Sequence, residues 1–180
     1  GCGDYKPSGD DIYTKCQSET HLLHKFVELW EKLNPDIVTG WNIETFDIPY
    51  VVRRIESQCG KDVMRRLSPF KRVMERHFGR PDPQTSAVAE AMEIYGVTIL
   101  DYLSLYRKFT YIQQESYALD YIGEAELGEK KLDYSEYGTL NELYKNDYQK
   151  FLDYNIRDVV LVEKLDDKMK LLEQACTIAY

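Results

Sequence analysis

Apolar positions recur along this chain at helical spacing, broken by short runs of strand character. Leu22, Leu23, Phe26, Leu29, Trp30 and Leu33 fall three or four apart, one face of a helix. Ser18 can cap that helix, and Asn34-Pro35 stops it near Leu33, because a residue before proline avoids the helical region. Ile37-Val38 then reads as a short strand ending at Gly40, followed by a polar loop from Asn42 to Thr45. A helical pattern reopens with Phe46, Asp47 and Pro49, uses Val51, Val52 and Ile55 as its inner face, and ends near Cys59 with Gly60 as its cap. Lys61 to Leu67 is a short basic helix closed by Ser68-Pro69. Lys71 to Phe78 and Ala89 to Tyr95 read as two extended arms around a polar tip, Gly79 to Ser86, where Arg80-Pro81-Asp82-Pro83 excludes regular structure.

Val97 to Leu100 predicts another short strand, and Asp101 to Lys108 and Ser116 to Leu127 predict helices. Gly128 to Gly138 is a charged loop, and Leu140 to Tyr180 is almost continuously helical with one break. Ahead of all this, Gly1 to Asp10 reads as a loop, and Ile12 to Cys16 alternates weakly as a strand. The expected class is α/β. A strand that ends in a loop and feeds a helix sets the loop's side chains at the carboxyl edge of a sheet, where such folds bind ligands.

A length of 180 residues suits one domain with a real core, and 43% apolar with 30% charged residues is an ordinary balance. No apolar run approaches membrane length and no basic-then-apolar leader opens the chain, so no membrane partner is expected. Cys2, Cys16, Cys59 and Cys176 have no regular spacing and read as free thiols in a reducing cytoplasm. The net charge of -8 is unevenly spread: nine Lys/Arg and three Asp/Glu lie between Arg53 and Arg80. A basic lobe on an acidic body can hold a phosphate backbone. Lys61, Arg65, Arg66, Lys71, Arg72 and Arg76 are its expected DNA-binding residues. Fifteen tyrosines could stack on unpaired bases, though most sit at helical core spacing.

Two short strings sharpen this picture. Asn42-Ile43-Glu44-Thr45-Phe46-Asp47-Ile48-Pro49-Tyr50 resembles the second exonuclease motif of family B DNA polymerases, in the form found in tailed-bacteriophage replicative polymerases. Tyr154-Asn155-Ile156-Arg157-Asp158 is similar to the third motif, Tyr-x-x-x-Asp, in the right order and 111 residues beyond Asp47. The resemblance implies a ribonuclease-H-like (DnaQ-like) exonuclease fold, a central mixed sheet flanked by helices. It also implies a 3′–5′ proofreading exonuclease that hydrolyses single-stranded 3′ ends. Its partners would be a DNA 3′ end and the remainder of a polymerase chain, and its place the cytoplasm of the host cell. In the phage polymerases the region matching residues 71–95 is a β-hairpin that helps move the primer strand between active sites.

Hydrolysing a phosphodiester needs an activated water, a stabilised leaving oxygen and neutralised phosphate charge, which two divalent ions can supply together. Hard ions such as Mg²⁺ or Mn²⁺ call for carboxylates. The resemblance assigns Asp47 and Asp158 as metal ligands, Tyr154 as the group that positions water, and Asn42 and Phe46 as contacts to the terminal nucleotides. Tyr154 and Asp158 stand at i, i+4, one face of a helix. Asp101 also follows a short strand, but no family counterpart is catalytic. The family's first motif, Asp-x-Glu on a leading strand, has no match: no Asp in this chain is followed two residues later by Glu. The chain is therefore expected to lack the leading strands and to be weak or inactive alone. The alternative expectation is a non-catalytic module that binds single-stranded nucleic acid.

Overall fold

Ser18 opens helix α1 (Glu19–Leu33) by accepting the His21 N–H at 3.2 Å. That bond satisfies one of the donors a helix start leaves open. Asn34 closes the helix in the left-handed region, φ 42°, and donates its N–H to the Trp30 carbonyl at 2.8 Å. The computed structural model describes residues 1–9, 11–78, 89–129 and 135–179. The expected polar tip, Gly79 to Ser86, and part of the charged loop between Gly128 and Gly138 lie outside the described residues. The chain divides into two compact units, residues 18–104 and the segments 1–17 with 105–180.

In the unit of residues 18–104, α1 is followed by β1 (Ile37–Gly40), α2 (Asp47–Cys59), α3 (Lys61–Arg65), β2 (Val73–Phe78), β3 (Ala89–Ile94) and β4 (Thr98–Asp101). β1 and β4 pair in parallel, from Ile37 opposite Thr98 to Gly40 opposite Asp101. β2 and β3 form an antiparallel ladder, from Val73 opposite Ile94 to Phe78 opposite Ala89. Helices and strands both appear as expected. Among the described residues, though, the strands make two two-stranded sheets where one central sheet was expected.

The core of this unit joins Leu23 and Val27 of α1 to Val52 and Ile55 of α2 and Ile94 of β3. The expected inner face of α1 is thus partly corrected. Leu29 and Leu33 are 54% and 68% exposed, while Val27 is fully buried. The stripe runs through Leu23 and Val27 at i, i+4, and α2 covers only that side. Trp30 keeps a polar role, donating its indole N–H to the Leu67 carbonyl at 2.8 Å. Buried Ser68 closes the root of the hairpin by donating to the Tyr95 carbonyl at 2.6 Å and accepting the Phe70 N–H.

Helix α4 (Tyr102–Phe109) begins in this unit and runs into the other. The second unit holds α5 (Leu119–Leu127), α6 (Leu140–Asn146), α7 (Tyr148–Met169) and α8 (Leu171–Ala179). Ile12 to Cys16, expected as a strand, carries none. Gly1 donates to the Thr14 carbonyl and accepts the Cys16 N–H, a single exchange that no ladder extends. α5 starts three residues later than its pattern suggests, because Ser116 Oγ accepts the Ala118 N–H and holds a local turn. The long C-terminal helical stretch breaks twice where one break was expected. Asp147 caps α7 by accepting the Lys150 N–H at 2.9 Å, and Lys170 ends it at φ 55°. Among the described residues no helix is long and apolar enough to cross a membrane.

Candidate active site

The loop between β1 and α2 is shaped from within. Asn42 takes φ 61°, and its carbonyl accepts the Phe46 N–H at 3.2 Å. Its side-chain oxygen accepts the Thr45 hydroxyl at 2.8 Å, and the Ile43 carbonyl accepts the Ile48 N–H at 3.0 Å. Ile43 folds back on Gly40 so closely that a Cβ there would stand 3.1 Å from its side chain. These bonds present Phe46, which is 67% exposed, just ahead of Asp47, the first residue of α2. A carboxylate there is favoured by the helix dipole.

Asp47 is an exposed residue by surface area, and an ion or substrate can reach it. Protein atoms nonetheless crowd its carboxyl. That burial raises its pKa above the ordinary aspartate value, its own backbone N–H works against the rise, and the Asp101 charge adds to it. Asp101 is therefore within electrostatic reach of Asp47, which its position in the sequence did not announce. Asp101 itself is buried, 6% exposed.

The other expected pair lies on α7 in the second unit. Its buried positions are Tyr154, Leu161, Val162 and Leu165, a helical stripe. Asp158 stands on that stripe, one turn beyond Tyr154 and three residues before Leu161, and is half-buried. A carboxylate in an otherwise apolar seam costs stability and calls for a reason. Tyr154 is 8% exposed, so its phenol belongs to the packed face of α7 rather than to a solvated surface. Arg157 faces another way and pairs with Glu129, which also accepts from Lys164 at 2.7 Å.

The expected DNA-binding cations all lie in the unit of residues 18–104, and each has a protein neighbour. Arg66 pairs with Glu31 at 2.6 Å and Lys71 reaches the same carboxylate at 3.5 Å. Lys61 pairs with Glu56 at 3.6 Å, Arg65 with Asp62 at 3.5 Å, and Arg76 with Glu44 at 3.1 Å. Arg72 lies over the Tyr95 ring, 4.2 Å from its centre. Phosphate would have to compete with these neighbours, so the lobe is less positive than its composition suggests. Glu31 and Glu44 lie far from these cations in sequence, so local composition does not reveal the pairing.

Among the described residues no three His, Cys, Asp or Glu side chains form a group that could hold a metal ion. The donors on the two motif segments are carboxylates, which fit a hard divalent ion in kind.

A family model described as the exonuclease domain of DNA polymerase family B matches residues 3–122. The chain is similar to the DNA-directed DNA polymerase of Escherichia phage RB69, 36% identical over 173 residues, which cover 94% of this chain and 18% of that protein. It is similar to the DNA-directed DNA polymerase of Enterobacteria phage T4, 34% identical over 169 residues, with the same two coverages. The DNA polymerase delta catalytic subunit of Caenorhabditis elegans is 28% identical over 164 residues, 86% of this chain and 14% of that protein. The chain thus spans about 18% of the length of the two phage relatives. The model match includes Asn42, Phe46, Asp47 and Asp101 and stops short of Tyr154 and Asp158. An alignment over 94% of 180 residues takes in both of the latter.

Proposed function

The chain belongs to the exonuclease-domain family of family B DNA polymerases, and from that premise we propose that it is a 3′–5′ proofreading exonuclease domain acting on single-stranded DNA 3′ ends. Its fold would be ribonuclease-H-like, with residues 71–95 as a β-hairpin insertion. Its partners would be the DNA and the rest of a polymerase chain, in a host cytoplasm. The observation that supports this most is Asp158, a carboxylate set into the apolar seam of α7 one turn from Tyr154. Packing alone would have favoured an apolar residue there.

Asp47 and Asp158 are the residues that would hold Mg²⁺ or Mn²⁺, and such ions offset phosphate charge and lower the pKa of water. Tyr154 would orient the attacking water through its phenol. Phe46 offers an exposed ring on which the terminal base can stack. Asn42 holds that ring in place through the loop bonds and would contact the terminal nucleotides. The positive residues Lys61, Arg65, Arg66, Lys71, Arg72 and Arg76 would meet the phosphates.

The second reading is a module that binds single strands without cutting them. The absence of Asp-x-Glu from the 180 residues favours it for this chain by itself. Hydrolysis of a 3′-labelled single strand, in Mg²⁺ and in Mn²⁺, separates the two. Three proteins are compared: this chain, its Asp158→Ala variant, and the chain preceded by an Asp-x-Glu strand of the family. The preceded chain should cut, and the other two should match buffer. Efficient cutting by this chain that Asp158→Ala abolishes would mean that its own residues supply every ligand needed. No cutting by any of the three would leave the binding module.

A further inference from the structure

Asp101 stands opposite Gly40 in the β1–β4 register, at the last position before each strand leaves the sheet. The residue is 6% exposed, and burying a charge is costly unless strong hydrogen bonds compensate. Both oxygens are engaged. Oδ1 accepts the Ser104 N–H at 3.2 Å, capping the first turn of α4. Oδ2 accepts the Glu44 N–H at 3.1 Å, in the middle of the loop that carries Asn42, Phe46 and Asp47.

The loop's own bonds join Asn42 to Thr45 and Phe46, and Ile43 to Ile48. They fix its shape, but they do not fix where that shape sits relative to the sheet. The Asp101 carboxylate does, since it belongs to the strand beside β1. The Trp41 ring lies against the Tyr102 ring, centres 6.3 Å apart, and reinforces the same junction. A cap needs only one oxygen. The second bond, to a residue 57 positions earlier, has a different consequence.

We propose that Asp101 is a positioning residue for Asp47: through the Glu44 N–H it holds the β1–α2 loop, and with it the start of α2, at a fixed height above the edge of the sheet. It does not touch substrate. Its kinetic consequence rests on the exonuclease reading, whereas the tether itself does not.

The test therefore has two arms. In the first, amide hydrogen exchange is measured in the 180-residue chain and in Asp101→Ala and Asp101→Asn. Exchange at Glu44 should quicken by about tenfold or more in Asp101→Ala, the loss expected for a bond to a charged group, while Val52 and Ile55 hold within about twofold. An unchanged rate at Glu44 in folded Asp101→Ala overturns the proposal. Should that variant not fold, Asp101→Asn decides. Asparagine keeps the shape but only one acceptor oxygen, so protection must fall at Glu44 or at Ser104. Protection kept at both overturns the proposal.

In the second arm, single-strand hydrolysis is followed in the full chain that carries this domain. Asp101→Ala should lower kcat per folded molecule by about tenfold to a hundredfold, the cost of a misplaced catalytic group, with KM within about twofold. A role in stability alone would move the melting temperature and leave kcat per folded molecule intact. Asp47→Ala is the control. If it leaves cleavage intact, the exonuclease reading fails and exchange at Glu44 still decides the tether. If it abolishes cleavage while Asp101→Ala keeps full kcat per folded molecule, the positioning role fails and the exonuclease reading stands.

Discussion

Arg76 of β2 donates to the Glu44 carboxylate at 3.1 Å, so the loop that precedes Asp47 is bonded to the arm of the hairpin as well as to Asp101. Arg53 of α2 makes a second such link, pairing with Glu75 of β2 at 2.5 Å and with Glu90 of β3. The arms of the hairpin are thereby fastened to the loop and helix of the candidate site by charge. Arg76 is about half exposed, and exposed pairs contribute only about 0.2–1 kcal/mol. A double-mutant cycle between Arg76→Ala and Glu44→Gln should give a coupling in that range at low salt, fading toward zero near 1 M, where screening reaches about 3 Å. Thermal unfolding supplies the four stabilities. A coupling of zero at low salt would mean that this pair adds nothing to the link and leaves it to Arg53.

Glu31 occupies two of the expected DNA-binding cations at once, Arg66 at 2.6 Å and Lys71 at 3.5 Å. The Arg66 bond is the first cause of its lowered pKa, so it stays ionised at neutral pH. It competes with any phosphate for both cations. Glu31→Gln should therefore tighten binding of a single strand and steepen its dependence on salt, because up to two further counterions are displaced, a slope change of about 0.7 for each. Arg66→Ala should do the opposite. Fluorescence anisotropy of a labelled oligonucleotide across a salt series reads both. Equal affinity for Glu31→Gln and the parent chain would place the DNA elsewhere.

The order of elements was legible in the sequence wherever a local signal fixed it. Ser18 and Asn34 bracket α1, Gly60 closes α2, and the two hairpin arms follow from their flanking turns. What local signals could not give was the orientation of a helix against distant partners. Leu29 and Val27 look alike by residue type, and only the approach of α2 decides that Val27 is buried. The site shows the same division. Asn42, Phe46, Asp47, Tyr154 and Asp158 lie in short strings and were visible as such. Asp101 has no catalytic counterpart in the resemblance, and its link to the site is not legible because its partner Glu44 stands 57 residues away, across a parallel strand pair that no spacing rule reveals.

Helix α5 meets α7 through Gly123, where a Cβ would stand 3.3 Å from the Glu129 carbonyl and 3.4 Å from Leu161. Leu161 lies one turn beyond Asp158 on the same seam, so spacing here bears on the candidate site. Gly123→Ala adds helix propensity of about 1 kcal/mol and loses a similar amount to crowding against a backbone oxygen. Gly123→Val has a stiff branched side chain and a smaller gain in propensity, and should destabilise by about 1–3 kcal/mol. Urea unfolding measures the difference. A neutral valine variant would show that the two helices separate without cost.

Tyr106 and Glu126 should make the unit of α5 and α7 sensitive at both ends of the pH scale. Tyr106 is fully buried and donates its phenol to Glu126 at 2.8 Å. Burial first, then the bond and charge of Glu126, push its pKa up to about 12. A tyrosine that holds its proton more tightly when folded contributes stability that is whole below its unfolded value, about 10, and is lost as pH rises from there through about 12. Glu126 works in the reverse sense. Burial pushes its carboxyl up, but the bonds from Tyr106 and Lys168 outweigh it and the net shift is downward. A lowered carboxylate contributes stability present above the unfolded value, about 4.3, and lost as pH falls through the folded one. Tyr106→Phe should flatten the alkaline limb of the stability profile, and Glu126→Gln should flatten the acid limb. Denaturant unfolding at one-unit steps from pH 3 to pH 12 separates them. An alkaline limb that survives in Tyr106→Phe would assign the loss to other tyrosines, with Tyr13 first among them, since burial and its bond to Tyr148 raise it as well.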